Sequence, residues 1–171
     1  MSKRIIKVRH VAPVLFLAAC SSAPPAAPKT PASVPPETQL GAKSATQAQV
    51  RIAEDIRRAC GIPEADAHFA FDSANVQQTE RRVLSMLADC FVSGPLAGRA
   101  MRLVGHADPR GDAEYNFVLG GRRADNVKTF LVQEGMRGDR VASTSRGEIE
   151  ADGQDEATWR EDRRVDVLLA Q

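Results

Sequence analysis

Beyond residue 47, the spacing of apolar residues divides the chain into short elements of alternating type. The first of them, QVRIAEDIRRACG, carries Ile52, Ile56 and Cys60 at intervals of four residues. This interval is typical of one face of a helix, and glycine often follows the last turn of a helix. The pattern therefore predicts a short N-terminal helix that ends at Gly61.

The segments that follow predict strands alternating with helices. AHFAFD alternates and predicts a strand with Phe69 and Phe71 on one face. QQTERRVLSMLADCFVSG and YNFVLGGRRADNVKTFLVQEG have helical periods, whereas AMRLVGHAD, RVASTSRGE and RRVDVLLA predict strands. The expected class is α/β (α+β), in the order βαβαβ(α)β, where the bracketed helix lies in a polar run before the last strand. We expect a mixed four-stranded sheet packed on helices, preceded by the short helix described above.

The N-terminal segment, residues 1–19, predicts a secretory signal peptide. A basic start is followed by the short apolar run VAPVLFLAA, which is about half as long as a membrane-spanning helix requires. The ending Leu17 to Cys20 resembles a bacterial lipobox, in which Cys20 would be lipidated and become the mature N-terminus. The alternative is an ordinary secreted protein with a cysteine near its cleavage site. Ser21 stands where sorted bacterial lipoproteins retained in the inner membrane tend to have Asp, which favours the outer membrane.

Residues 20–46 differ sharply in composition from the rest of the chain. They are rich in Pro, Ala, Ser and Thr and contain almost no large apolar side chain. Such a segment cannot bury enough surface to offset its ordering entropy, so we expect an extended, disordered tether. Residues 47–171 then form one domain of ordinary size.

Charge and cysteine content narrow the classes of function. The formal net charge is +1 and aromatic residues make up 5% of the chain, which argues against nucleic acid as a partner. If Cys20 is acylated, Cys60 and Cys90 remain as a pair in an oxidising compartment, where disulfides persist. The alternative is that the two are buried thiols that never meet.

The stretch GHADPRGDAEYN joins a predicted strand to the long helix and holds the candidate chemistry. On the helix, Asn116, Leu119 and Arg123 share one face, so Arg123 points back towards the loop that carries Asp108. A carboxylate and a guanidinium fork together suit a zwitterion. A structural Asp108–Arg123 ion pair explains the same spacing, and Asp108 or Asp112 could simply favour the helix N-terminus.

An enzyme or a metal site is not expected. His106 and Asp108 are two residues apart, but no H-x-x-E or C-x-x-C cluster in the sequence supplies further zinc ligands. No G-x-S-x-G elbow indicates a serine nucleophile. We therefore expect no cofactor and interpret His106 as a hydrogen-bonded structural histidine.

Several motifs occur together, in order and spacing that match a known family. FAFDSA, LVGHADPRGDAEYNFVLGGRRADNV, SRGE and DRRVDV resemble the C-terminal domain of outer-membrane protein A, which also makes up peptidoglycan-associated lipoproteins. The resemblance covers about residues 66–170. It implies a lipid-anchored outer-membrane protein that faces the periplasm. Such a protein binds the diaminopimelate of the peptidoglycan stem peptide without a covalent bond and ties the membrane to the wall. The alternative is a periplasmic adaptor whose partners resemble those of the Tol system, with wall binding secondary.

The resemblance also implies roles for individual residues. The residues expected to bind peptidoglycan fall on the loop, the long helix and the FxFD motif of the first strand: Asp108, Arg123, Asn116, Leu119, Phe71 and Asp72, with Phe69 in the same motif. Two positions depart from the family pattern. Ala107 stands where Thr is frequent, and Asp162 replaces the usual Asn before the paired arginines. The second departure would put an extra acid near Arg163.

Overall fold

The computed structural model of the protein describes residues 47–72 and 76–171. The predicted signal peptide, Cys20 and the predicted tether lie outside the described residues. Strands and helices alternate through the described part of the chain, and their bounds are β1 Gln47–Ile52, α1 Glu54–Cys60, β2 His68–Asp72, α2 Gln78–Val92, β3 Met101–His106, α3 Ala113–Gln133, β4 Val141–Gly147, α4 Glu156–Asp162 and β5 Arg164–Leu169.

These strands form a five-stranded mixed sheet in the order β2-β1-β5-β3-β4. β1 runs parallel to β5 and β3 runs parallel to β4, whereas the β1/β2 and β3/β5 pairs are antiparallel. The predicted fold class is confirmed, including the helix before the last strand. The expected count of four strands is wrong, because β1 adds a fifth.

The extra strand occupies the first part of the segment for which one helix was predicted. Val50 and Ile52 are buried on one face of β1, and the helix begins only at Glu54. The interval of four from Ile52 to Ile56 therefore joins a strand residue to a helix residue. The alternation of apolar and polar residues in β1, which indicates a strand, extends over only six residues. The deciding factor is hydrogen bonding on both sides of β1, to β2 and to β5, which local periodicity does not reveal.

The core lies between the sheet and the helices α2 and α3. Leu84 and Leu87 of α2 and Val127 and Leu131 of α3 are fully buried, as their helical spacing predicts. Cys60 at the end of α1 and Cys90 in α2 form a disulfide with their Cα atoms 5.5 Å apart. The alternative of two separate thiols is therefore wrong, and the bridge fastens α1 to the core.

Two glycines let α3 lie directly against β3. A Cβ atom built on Gly105 would stand 1.8 Å from the carbonyl oxygen of Gly120, and one built on Gly120 would stand 2.5 Å from Ser145 Oγ. Both separations are far shorter than van der Waals contact, so the two backbones approach closely only because both residues lack a side chain. This contact sets the distance between α3 and the end of β3, where the loop with Asp108 begins.

Candidate functional site

Asp108 lies in the loop after β3, and its carboxylate is completely buried by arginine side chains. Arg110 approaches it as a fork, with Nε 3.1 Å from Oδ1 and Nη2 3.1 Å from Oδ2. The backbone N–H of Arg110 also donates to Oδ1 at 3.1 Å, and Nη1 of Arg163 donates to Oδ2 at 3.3 Å. A charge this deep requires such partners, since an unpaired buried carboxylate is very costly.

A different acid caps the helix. Asp112 accepts hydrogen bonds from the backbone N–H groups of Glu114 and Tyr115, at 2.9 Å and 3.3 Å, and so satisfies two donors of the first turn of α3. Asp108 is four residues upstream of this cap. Of the two acids considered for the helix N-terminus, the structure assigns the cap to Asp112 and leaves Asp108 to the arginines.

Asn116 fixes the shape of the loop. Its buried Nδ2 donates to the carbonyl oxygen of Asp108 at 3.3 Å, to that of Arg110 at 3.0 Å, and to the carboxylate of Glu148. One amide therefore holds both ends of the Asp108–Arg110 turn and joins it to the chain after β4. This positions the loop; whether Asn116 also touches a ligand stays a prediction.

Arg123 lies two turns further along α3 and is 1% exposed. Its Nε donates to the carbonyl oxygen of Gln47 at 2.8 Å and its Nη1 to that of His106 at 3.0 Å. Burial and, to a smaller extent, the positive charge of Arg163 lower the pKa of Arg123 to about 10, and the nearby Asp108 carboxylate opposes them. Arg123 thus joins β1 and β3 while remaining charged at neutral pH.

The other predicted residues lie around this point. Leu119 is buried on the same face of α3. Asp72 ends β2, and its Oδ2 is 3.4 Å from Nε2 of Gln47, the residue whose carbonyl oxygen binds Arg123. Phe71 is in the core, where its ring meets Phe130 edge to face at 6.1 Å. That Leu119, Phe71 and Asp72 contact a ligand stays a prediction.

Three members of the site were not singled out from the sequence, namely Arg110, Glu156 and Trp159, and Arg163 was named only as the neighbour of Asp162. The guanidinium carbon of Arg110 is 4.1 Å from the centre of the Trp159 ring, a cation–π contact. Glu156 Oε2 lies 3.4 Å from Nη1 of Arg110, and its Oε1 is 2.7 Å from Nη2 of Arg163. The sequence feature that could have identified Arg110 is its position, two residues after the acid predicted to bind the ligand.

Asp162 does not bring an extra acid to this cluster. Its carboxylate accepts from the backbone N–H groups of Gly153 at 3.0 Å and Asp152 at 3.4 Å, so it orders the loop before α4. The cluster itself contains the guanidinium groups of Arg110, Arg123 and Arg163 and the carboxylates of Asp108 and Glu156. Together with the Glu148 carboxylate that Asn116 binds, the site holds three guanidinium groups and three carboxylates, so groups of both charges lie side by side.

His106 faces away from this cluster. Its Nε2 is 3.0 Å from Asp166 Oδ2 and its Nδ1 is 3.7 Å from Glu150 Oε2. The two acids thus approach opposite nitrogens of the ring, an arrangement that one metal ion cannot bridge. Over residues 47–72 and 76–171, no group of three or more histidine, cysteine or acidic side chains is placed to hold a metal.

Comparison with known proteins supports the same assignment of fold. The peptidoglycan-associated lipoprotein of Pseudomonas aeruginosa is 36% identical over 104 residues, which cover 58% of this chain and 59% of that protein. The protein of the same name from Pasteurella multocida is 35% identical over 100 residues, 57% of this chain and 65% of that one. The chain therefore spans about three fifths of the length of these curated relatives.

A solved structure is also similar. The crystal structure of the peptidoglycan-associated lipoprotein from Burkholderia pseudomallei has 35% sequence identity and a TM-score of 0.52, covering 60% of this chain and 86% of that one. The model of the OmpA family matches residues 68–165, more than half of the sequence. These residues extend from β2 to β5 and include the loop with Asp108 and all of α3. The chain belongs to the OmpA family.

Proposed function

We propose that this protein is an outer-membrane lipoprotein that binds peptidoglycan without a covalent bond and so ties the membrane to the cell wall. The observation that carries the proposal is the buried Asp108 carboxylate among the guanidinium groups of Arg110, Arg123 and Arg163, within a domain whose relatives are named peptidoglycan-associated lipoproteins. Opposite charges side by side suit a zwitterion. The proposed role of this site is to bind a ligand and not to catalyse a reaction.

The group recognised is the side chain of diaminopimelate in the stem peptide. This side chain ends in an ammonium group and a carboxylate on the same carbon. Asp108 takes the ammonium group, and the positive charge of the Arg123 guanidinium group attracts the carboxylate. A carboxylate brought to Arg123 would also offset the repulsion by which Arg163 lowers the pKa of Arg123.

The membrane attachment rests on the sequence before the described residues. Cys20 would carry acyl chains, and several chains on one cysteine are enough for stable anchoring. Among the described residues, none of the helices is both long and apolar enough to cross a bilayer. A Pro-rich tether of some 25 residues could reach on the order of 75 Å, so the domain would reach the wall from the periplasmic face of the membrane.

Competition between two kinds of wall fragment tests the proposal. Purified full-length protein should co-sediment with sacculi that contain diaminopimelate, and soluble muropeptides with diaminopimelate should release it. Muropeptides with lysine at the same position retain the ammonium group but lack the carboxylate, so they should compete much less well. Equal competition by both kinds would contradict the role given to Arg123, and failure to sediment would overturn the proposal.

A second candidate function is that of a periplasmic adaptor, with partners resembling the Tol proteins. Its support is that Phe117, beside Asn116 on α3, is 53% exposed and Ile149, after Glu148, is 75% exposed. Both side chains are accessible from outside and flank residues of the site. A pull-down of periplasmic proteins with and without competing muropeptide separates the two roles, since an adaptor that uses another surface would keep its partner when the fragment is added.

A further inference from the structure

We propose that Arg110 is a latch, an internal cation that occupies Asp108 until the ammonium group of a diaminopimelate side chain displaces it. The inference rests on the proposed function and adds a regulatory step to the same site. The latch comprises Arg110, the Asp108 carboxylate it covers, and Trp159 and Glu156, which hold its outer side.

The geometry makes Arg110 a substitute for the ligand. It meets both carboxylate oxygens of Asp108 as a fork, with both contacts at 3.1 Å. The Asp108 side chain is 0% exposed, so an arriving ammonium group has no open path to either oxygen. The hydrogen bonds to Asp108 also raise the pKa of Arg110 above its usual value, so the covering group is always charged. Binding therefore requires one cation to leave as another arrives.

Of the two arginines on Asp108, Arg110 is the one placed to move. Its side chain is 29% exposed, compared with 18% for Arg163, and it lies in the irregular loop between β3 and α3. Arg163 lies between α4 and β5, where its carbonyl oxygen accepts from the N–H of Gln49 at 2.7 Å. It is also paired with Glu156 at 2.7 Å. Arg163 is thus the less exposed of the two arginines, and its backbone is joined to β1.

Trp159 and Glu156 contact the outer side of the Arg110 guanidinium and hold it on Asp108. The Arg110 guanidinium stacks on the Trp159 ring at 4.1 Å, and the indole Nε1 donates to the carbonyl oxygen of Gly153 at 3.0 Å, which fixes the ring. Glu156 Oε2 faces the guanidinium at 3.4 Å. Since Trp159 is the only tryptophan in the chain, departure of Arg110 would be seen as a change in tryptophan fluorescence.

The latch has a consequence for affinity and for selectivity. When the binding-competent state is only a fraction of the molecules, apparent affinity falls by that fraction. A partly exposed fork of this kind would favour the closed state by roughly tenfold, and its removal would strengthen binding by about the same factor. A purely anionic fragment offers no group to replace Arg110 on Asp108 and should leave the latch closed.

The test measures binding and tryptophan fluorescence together. Purified full-length protein is titrated with a soluble muropeptide that contains diaminopimelate, and affinity is measured independently by calorimetry. For the unaltered protein, fluorescence should change with the same midpoint as the heat. Arg110→Ala should bind roughly three- to tenfold more tightly and show little further fluorescence change. Arg137→Ala is the matched control, because Arg137 makes the same fork to an acid two residues away, Asp139, on an exposed surface.

The outcomes separate the latch from the proposed function. Calorimetric binding with no fluorescence change, or unchanged or weaker binding by Arg110→Ala, would overturn the latch while leaving wall binding intact. The same fluorescence change in Arg110→Ala as in the unaltered protein would also overturn it, since the ligand alone would then account for the signal. An unaltered protein that gives neither heat nor sedimentation with sacculi would overturn the proposed function and the latch with it.

Discussion

The contact between α3 and β3 predicts opposite effects for the same substitution at neighbouring residues. A methyl group at Gly120 would stand 2.5 Å from Ser145 Oγ and 2.8 Å from the carbonyl oxygen of Gly105, whereas one at Gly121 would have only Ser145 Cβ in reach, at 3.9 Å. The first requires the helix to move away from the sheet by roughly half an ångström or more, and overpacking of this kind costs about 1–3 kcal/mol. The second is an ordinary contact.

Helix propensity adds a favourable term to both substitutions. Replacing glycine by alanine inside a helix stabilises by about 0.5–1 kcal/mol. Gly120→Ala should therefore lower the free energy of unfolding by about 0.5–2 kcal/mol, whereas Gly121→Ala should raise it by about 0.5–1 kcal/mol. Since α3 also carries Asn116 and Arg123, a displaced helix should weaken wall binding in Gly120→Ala only.

Urea unfolding of both variants and the unaltered protein, with sedimentation on sacculi, measures these effects. The slope of the free energy with urea concentration should be unchanged in all three proteins, so that the midpoints report stability. A Gly120→Ala variant as stable as Gly121→Ala would refute the close packing of α3 on β3. If Gly120→Ala loses stability but binds sacculi fully, the distance between α3 and β3 does not determine the geometry of the binding site.

Three further predictions concern the bridge, an acid and the anchor. Reduction, or Cys60→Ser with Cys90→Ser, should lower the free energy of unfolding by roughly 3–4 kcal/mol in the chain-entropy model, and two alkylatable thiols in the folded, untreated protein would contradict it. Burial raises the pKa of Asp166, but the hydrogen bond from His106 and the charge of Arg164 outweigh it and leave that pKa below its usual value. The stability that this lowered pKa gives is present above the unfolded pKa near 4 and is lost as the pH falls through the lower folded value. In Asp166→Asn the free energy of unfolding, measured by urea titration at several pH values, should therefore depend less on pH in that range. Cys20→Ala should abolish incorporation of labelled palmitate, and normal labelling and processing would refute the lipobox.

How far the sequence predicts the fold depends on the length of each pattern. The helix α3 is predicted correctly, because twenty-one residues repeat the helical period many times, and Val127 and Leu131 on one of its faces are buried. β1 is missed because its alternation runs directly into α1, and the paired neighbours that make it a strand are distant in sequence. The disulfide is foreseen as a pair of leftover cysteines, but its formation depends on the packing of α1 against α2.

At the site, the sequence identifies the acid and the helix face but not what covers them. Arg123 lies on a helix with a regular period, and Asp108 lies in a stretch that resembles a known family. Arg110 and Arg163 instead approach Asp108 from the irregular loop and from the far end of the chain. From the sequence, a binding role and a structural role for Arg123 are alternatives, but the two roles do not exclude each other. The side chain holds two backbone carbonyl oxygens, of Gln47 and His106, so its replacement affects the fold as well as any ligand.

Asp108 gives the most direct test of wall binding, because Asp108→Asn keeps the size of the side chain and removes only its charge. Removing one partner of a desolvated charge pair costs about 2–5 kcal/mol, so the affinity for sacculi should fall by at least about thirtyfold. Asp139→Asn makes the same change in the exposed Arg137 pair and should sediment like the unaltered protein. Folded Asp108→Asn protein should stay in the supernatant. Full sedimentation of that variant would contradict the claim that this loop binds the wall.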